Sequence, residues 1–137
     1  MARISKETVT IDSAATIASS GSVTVMGDAI NLIDAIGVAI QATYQWVSAP
    51  TAGKQLDFYW ITATTEGGTY DTAEVLTMQF LQSFVLEANL NTTPQTVTIF
   101  IDGALLVPNF AKIAVVTNET GSNGTMTLLT ATIEKPI

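Results

Sequence analysis

The chain has 137 residues, which is enough for one domain with its own hydrophobic core. Hydrophobic residues make up 47% and charged residues 12%, so the composition excludes intrinsic disorder and carries about half the usual share of charge. The net charge is −7 with only five basic residues, and these are scattered along the chain. This argues against nucleic acid and against an anionic membrane surface as partners, because both require clustered cations.

The chain contains no histidine and no cysteine. It therefore lacks the usual general base, the commonest metal ligand and the commonest strong nucleophile. The carboxylates occupy no spacing that predicts a catalytic pair or a calcium loop. We expect a protein without enzymatic activity, cofactor or metal.

The amino-acid sequence also shows no membrane-spanning segment and no signal peptide. No apolar run reaches the roughly 18 residues of a membrane-spanning helix, and residues 1–22 contain no apolar core of signal-peptide length. We expect synthesis in the cytoplasm.

Two strands stand out by their alternation. In residues 37–47 the apolar side chains fall on one face, and in residues 55–64 Leu56, Phe58 and Trp60 alternate with Asp57, Tyr59 and Ile61. This period of two is typical of half-buried strands. The stretch between them reads as a turn, so we predict a hairpin with most of its aromatic residues in the core.

The remaining pattern is also dominated by strands. Residues 96–101, 110–118 and 125–133 alternate, residues 118–124 read as a loop, and shorter candidates lie at 7–11, 22–26 and 29–33. About eight short antiparallel strands predict an all-β fold, a single β-sandwich or jelly-roll-like domain over residues 21–137. Residues 1–20 are small and polar and form a candidate flexible N-terminal arm.

Residues 71–91 fit two interpretations. Asp71 and Glu74 have the spacing of a helix capping box, whereas Leu76, Met78 and Phe80 alternate as in a strand; we favour strands because the neighbouring segments are β. Three apolar residues of this segment are candidate interface residues: Phe80, Phe84 and Leu86. Tyr59, which is out of phase with Phe58 and Trp60 in the earlier strand, is a fourth candidate.

The order of turns and strands resembles the small β-sandwich structural proteins of tailed bacteriophages, especially capsid decoration proteins. The segments that carry this resemblance are residues 19–24, 28–30, 51–53, 67–71, 107–113 and 115–121. It is a resemblance of order and turn chemistry and includes no diagnostic motif. The chain departs from it at residues 74–89, which are longer and more apolar than expected.

The resemblance implies a protein that binds the outside of an assembled phage head and stabilises the shell. Its expected partners are the major capsid protein or another virion protein, and further copies of itself, with a trimer favoured. Its expected location is the capsid surface of the virion. The alternative is a carbohydrate- or receptor-binding module of a phage tail or fibre, which would need an exposed row of aromatic side chains.

Overall fold

The structure, a computed structural model, describes residues 3–63, 79–106 and 109–137. Within these ranges the chain is almost entirely β, with one short 3₁₀ turn at Gly103–Leu105. No helix within these ranges is long and apolar enough to cross a membrane. The strands, β1 to β10 in chain order, are Ile4–Asp12, Ala15–Ile17, Thr24–Val25, Ile30–Asn31, Gly37–Trp46, Gln55–Ala63, Gln79–Val85, Gln95–Ile101, Phe110–Thr117 and Gly124–Pro136.

The strands form two five-stranded antiparallel sheets. The first sheet has the order β1-β10-β5-β8, with β2 also paired to β10, and the second has the order β3-β9-β6-β7, with β4 also paired to β9. The predicted all-β sandwich is therefore confirmed, with ten strands in the described ranges. For residues 71–91, β7 confirms the strand interpretation over residues 79–85. Residues 86–91 are irregular and turn structure, and residues 71–78 lie outside the described ranges.

The predicted hairpin of β5 and β6 is wrong. β5 pairs with β10 and β8 in the first sheet, whereas β6 pairs with β7 and β9 in the second. The connection between Trp46 and Gln55 crosses from one sheet to the other. The two apolar faces therefore meet across the sandwich, where the ring centroids of Tyr44 and Phe58 lie 6.5 Å apart.

The beginning of the chain also differs from expectation. β1 pairs with β10 from Ile4 opposite Pro136 to Asp12 opposite Leu129, so these residues belong to the domain and are not a free arm. The side chains up to Thr8 are exposed, and Ile11 is the one residue of β1 that is buried. The sequence suggested an arm because the start of β1 contains few apolar side chains. The backbone hydrogen bonds that pair this segment with β10 cannot be read from a side-chain pattern.

One continuous core fills the space between the sheets. The predicted inner faces are confirmed, because Ile40, Tyr44 and Trp46 of β5 and Leu56, Phe58 and Trp60 of β6 are all buried. Both indole N–H groups have partners: Trp46 Nε1 donates to the Ser122 carbonyl at 3.0 Å and Trp60 Nε1 to the Leu105 carbonyl at 2.9 Å. The large aromatic residues thus pack in the core with their indole polar atoms satisfied.

A second, smaller cluster lies on the outer face of the second sheet. Tyr59, Ile61 and Ala114 are buried there, with Val23, Val25 and Val116 packed against them. Tyr59 is therefore out of phase with Phe58, as predicted, but only 9% exposed.

A buried carboxylate connects two loops at one end of the sandwich. Glu119 is 2% exposed and accepts backbone hydrogen bonds from Thr51 at 2.6 Å, Gly121 at 2.9 Å and Thr120 at 3.1 Å. The Thr51 hydroxyl is a fourth donor, at 3.4 Å. These donors, led by the Gly121 N–H, lower the pKa of Glu119 although burial acts in the opposite direction, so the ionised form holds the loops together.

Candidate functional site

The candidate site lies where the edges of the two sheets meet. β7 and β8 are the terminal strands of their sheets, and they contact each other on one side of the sandwich. At one end the Gln95 side chain links them: its Nε2 donates to the Val85 carbonyl at 3.3 Å, and its Oε1 accepts from the Glu87 N–H at 3.5 Å. Toward the other end there is a cleft of about 340 Å³, which we call the aromatic cleft.

Two phenylalanine side chains border the aromatic cleft. Phe80, on β7, is 49% exposed, and Phe100, on β8, is 82% exposed. Phe80 packs edge-on against Tyr59, with ring centroids 5.6 Å apart. Phe100 lies opposite Ala39 on β5, whose methyl group is too small to cover an aromatic ring. The two rings therefore present apolar surface to solvent on both sides of the cleft.

The wall of the cleft is apolar and fixed by the core. It includes Leu81, Ile99 and Leu105. A register shift in the β6–β7 pairing, between Phe58 and Tyr59, lets Leu81 pack against the main core. The Leu105 carbonyl accepts the Trp60 indole hydrogen bond, so the 3₁₀ turn at the cleft is held by a core residue and the surface is pre-formed.

Three polar side chains complete the lining: Gln79, Gln82 and Asp102. Gln79 Nε2 donates to the Phe80 carbonyl at 3.2 Å, and Asp102 caps the 3₁₀ turn by accepting from the Ala104 N–H at 2.9 Å. Asp102 is the only carboxylate among the described residues that line the cleft. An apolar surface with a few polar groups is suited to binding, and the lining brings together no pair of carboxylates.

A second cavity, of about 430 Å³, lies at the opposite edge of the sandwich. Glu7, Asp28 and Lys135 are its charged lining residues, beside Asn31. Within the described ranges no group of three or more metal-ligating side chains is found. This cavity lacks exposed aromatic rings, and we regard the aromatic cleft as the stronger candidate.

The four predicted interface residues occupy different environments. Phe80 lines the aromatic cleft, and Tyr59 packs against Phe80 in the outer cluster. Phe84 packs edge-on against Phe58, with centroids 5.7 Å apart, and Leu86 is 3% exposed in the main core. In this fold Leu86 presents almost no surface to a partner, and Phe84 serves mainly as a core residue.

The sequence analysis missed Phe100. Its neighbours Val97, Ile99 and Ile101 have the phase of the buried face, so Phe100 falls on the face that Thr96 and Thr98 occupy. An aromatic residue in the polar phase of a strand was the available signal, since a large apolar side chain there is exposed unless something covers it.

No protein-family model and no curated protein sequence matches the chain. Several solved structures do. A chain of the T13 viral particle of infectious bursal disease virus has a TM-score of 0.57 at 13% identity, with 96% of this chain and 31% of that chain covered. The VP2 subviral particle of the same virus gives a TM-score of 0.54 at 14% identity, covering 97% and 33%.

The likeness is one of fold. A β-porphyranase of glycoside hydrolase family 86 from Bacteroides plebeius also matches, with a TM-score of 0.52 at 13% identity, covering 99% of this chain but 21% of that chain. This chain thus spans a third or less of the length of each of these structures. They establish a β-sandwich that is shared with viral capsid proteins, and the more specific resemblance to phage decoration proteins stays a prediction.

Proposed function

We propose that the protein is a structural component of a phage virion, a capsid decoration protein that binds the outside of the head and stabilises the shell. The observation that carries this proposal is the pair of exposed rings, Phe80 and Phe100, on a pre-formed cleft at the edge of the sandwich. A sandwich that resembles decoration proteins in the order of its strands and turns, and shares its fold with viral capsid proteins, supports it. No catalytic group, metal or cofactor takes part in this role.

The energetics fit a protein that acts in many copies. Full burial of a phenylalanine side chain contributes about 1.5–3 kcal/mol, so two partly exposed rings provide modest affinity for one subunit. Association of copies, as in the favoured trimer, would let several identical sites bind one shell together, which raises the overall avidity without any new type of contact. The low charge at the cleft is consistent with an interface, since interface cores are depleted of charged residues.

The test measures binding of the purified protein to heads from a deletion mutant of the phage that encodes it. We expect the wild-type protein to bind and to raise the temperature at which the heads release their contents. Phe100→Ala and Phe80→Ala should each weaken binding about tenfold or more, which corresponds to about 1.4 kcal/mol. Val47→Ala is the matched control, because Val47 is 73% exposed and does not line the cleft. Heads that fail to bind the wild-type protein would refute the proposal.

Carbohydrate binding is the second candidate function, and the polar lining of the aromatic cleft favours it. Gln79, Gln82 and Asp102 line the same cleft as the two exposed rings, and sugars combine an apolar face with hydroxyl groups that amides and carboxylates can bind. The aromatic residues of β5 and β6 cannot be the platform, because Trp46, Phe58 and Trp60 are buried. Glycan-array binding that is lost in Phe100→Ala but kept in Val47→Ala would support this function over shell binding.

A further inference from the structure

The edges of the two sheets differ in how they are protected against pairing with other chains. Natural proteins protect an edge strand with charged residues, proline, bulges or short length. β1 carries Lys6, Glu7 and Asp12, while β2, β3 and β4 are only two or three residues long. These edges follow the usual rule.

β7 and β8 depart from that rule. Each is seven residues long, and neither contains a charged residue or a proline. β7 has one protective feature, the register shift opposite Phe58 and Tyr59. β8 has none, because its pairing with β5 runs without a shift from Ile101 opposite Val38 to Gln95 opposite Tyr44. Among the described strands β5 is the only neighbour of β8.

We infer that an extended segment of the partner protein adds to β8 as a further strand of the first sheet. This inference rests on the proposed function, since it names what the shell presents to the aromatic cleft. Main-chain hydrogen bonds would supply affinity, and alternate side chains would supply specificity, as in other cases of strand addition. One set of side chains would lie toward Leu81 and Leu105, and the other set beside Phe100.

The charges at the two ends of β8 determine what kind of segment can pair with its free edge. Glu87 lies at the Gln95 end, where its N–H contacts the Gln95 side chain, and Asp102 follows Ile101 at the other end. If two copies paired through β8 in antiparallel register, Asp102 of each copy would approach the end that carries Glu87 in the other. The occupant is therefore a segment of another protein, apolar in the centre and neutral or basic at its ends.

Two double variants test whether a partner strand adds to the free edge of β8. Thr96→Lys with Thr98→Lys places two charges on β8, and Thr8→Lys with Thr10→Lys places two on β1, at the opposite edge of the same sheet. All four threonines are exposed, and each pair includes one hydroxyl that bonds a threonine of the adjacent strand, Thr96 to Thr43 at 2.9 Å and Thr8 to Thr132 at 3.0 Å. We expect the β8 variant to bind heads at least tenfold more weakly than the β1 variant, with equal unfolding midpoints.

Hydrogen exchange on the wild-type protein gives a second readout that needs no variant. Backbone amides of β8 should exchange more slowly in the complex with heads than in the free protein, while those of β1 should not change. If the protein binds heads and β8 exchange is unaltered, the strand addition is refuted and the proposed function stands. If no binding occurs, the proposed function itself fails. A dimer of the free protein with protected β8 amides would refute the choice of occupant.

Discussion

Gly124 lies directly against the indole ring of Trp46, the residue opposite it on the neighbouring strand. A Cβ atom at Gly124 would come 2.5 Å from the Cζ3 atom of that ring. Trp46 is held in place by the core on one side and by its hydrogen bond to the Ser122 carbonyl. The glycine is therefore required by close packing, where even one methyl group has no room.

Gly124→Ala should lower the free energy of unfolding by about 1–3 kcal/mol, the usual cost of overpacking a core. Urea unfolding followed by tryptophan fluorescence measures the change. Gly103→Ala is the control, since a Cβ there meets no atom within 4 Å. Equal stabilities of the two variants would show that Trp46 can move aside.

Glu119→Gln should destabilise the protein by about 1–3 kcal/mol, because an amide nitrogen cannot accept the hydrogen bonds that one carboxylate oxygen now accepts. The loops at residues 50–54 and 118–123 should become more accessible to protease. Glu134→Gln is the comparison, since the Glu134 side chain is 38% exposed in its ion pair with Lys6 and such pairs contribute little. A similar effect of both substitutions would contradict the role of Glu119.

The pH dependence of the unfolding free energy should show the contribution of the Glu119 carboxylate. The folded-state pKa of Glu119 lies below its ordinary value of 4.5, so the folded state binds this proton less readily than the unfolded state. Its stabilisation is fully present above pH 4.5 and is lost as the pH falls through the lower folded-state pKa. The difference in unfolding free energy between wild type and Glu119→Gln should shrink in that range. A difference that stays constant down to pH 2 would count against this mechanism.

Tyr44→Phe should leave stability unchanged or raise it by up to about 1 kcal/mol, because the buried Tyr44 hydroxyl has no hydrogen-bond partner among the described residues and its burial has a cost. Burial, with a smaller contribution from Glu87, raises the pKa of Tyr44 above its ordinary value of 10.0. Stability should therefore fall as the pH rises above 10, and less steeply in the variant. A loss of 2 kcal/mol at neutral pH would indicate a partner for this hydroxyl.

Ile11→Ala tests whether β1 belongs to the domain. Ile11 is 5% exposed, and removal of a buried isoleucine side chain costs about 2–5 kcal/mol. Lys6→Ala on the same strand should change stability by less than about 1 kcal/mol, because the Lys6 side chain is 68% exposed. If Ile11→Ala were also neutral, residues 4–12 would behave as an arm in solution.

The faces of the strands could be predicted from the sequence, but their partners could not. Alternation correctly placed Tyr44 and Phe58 on buried faces, because burial depends on which side of a strand a residue occupies. It could not reveal that they belong to different sheets, since strands that face each other across a core show the same alternation as strands that pair. The hairpin was inferred from closeness in sequence, which does not decide sheet membership.

The candidate site was predicted only in part, for a related reason. Phe80 was identified, but the register shift opposite Phe58 and Tyr59 changes the phase of β7, so Phe84 and Leu86 turn toward the core. A bulge of this kind has no reliable signature in one sequence. Phe100 was overlooked although its place in the polar phase of the strand was a signal. The second condition for its exposure, the small size of Ala39 opposite it, is known only from the strand register.

The pairing of β1 with β10 has a consequence for how the protein is made. During synthesis β1 leaves the ribosome more than a hundred residues before the strand it pairs with, so the first sheet cannot be completed co-translationally until β10 has emerged. Contacts this distant in sequence are associated with folding times of milliseconds to seconds. Until β10 has emerged, the uncharged stretches that become β7 and β8 can contact other nascent chains. We therefore expect aggregation to be strongest when release from the ribosome is slow or when the expression level is high.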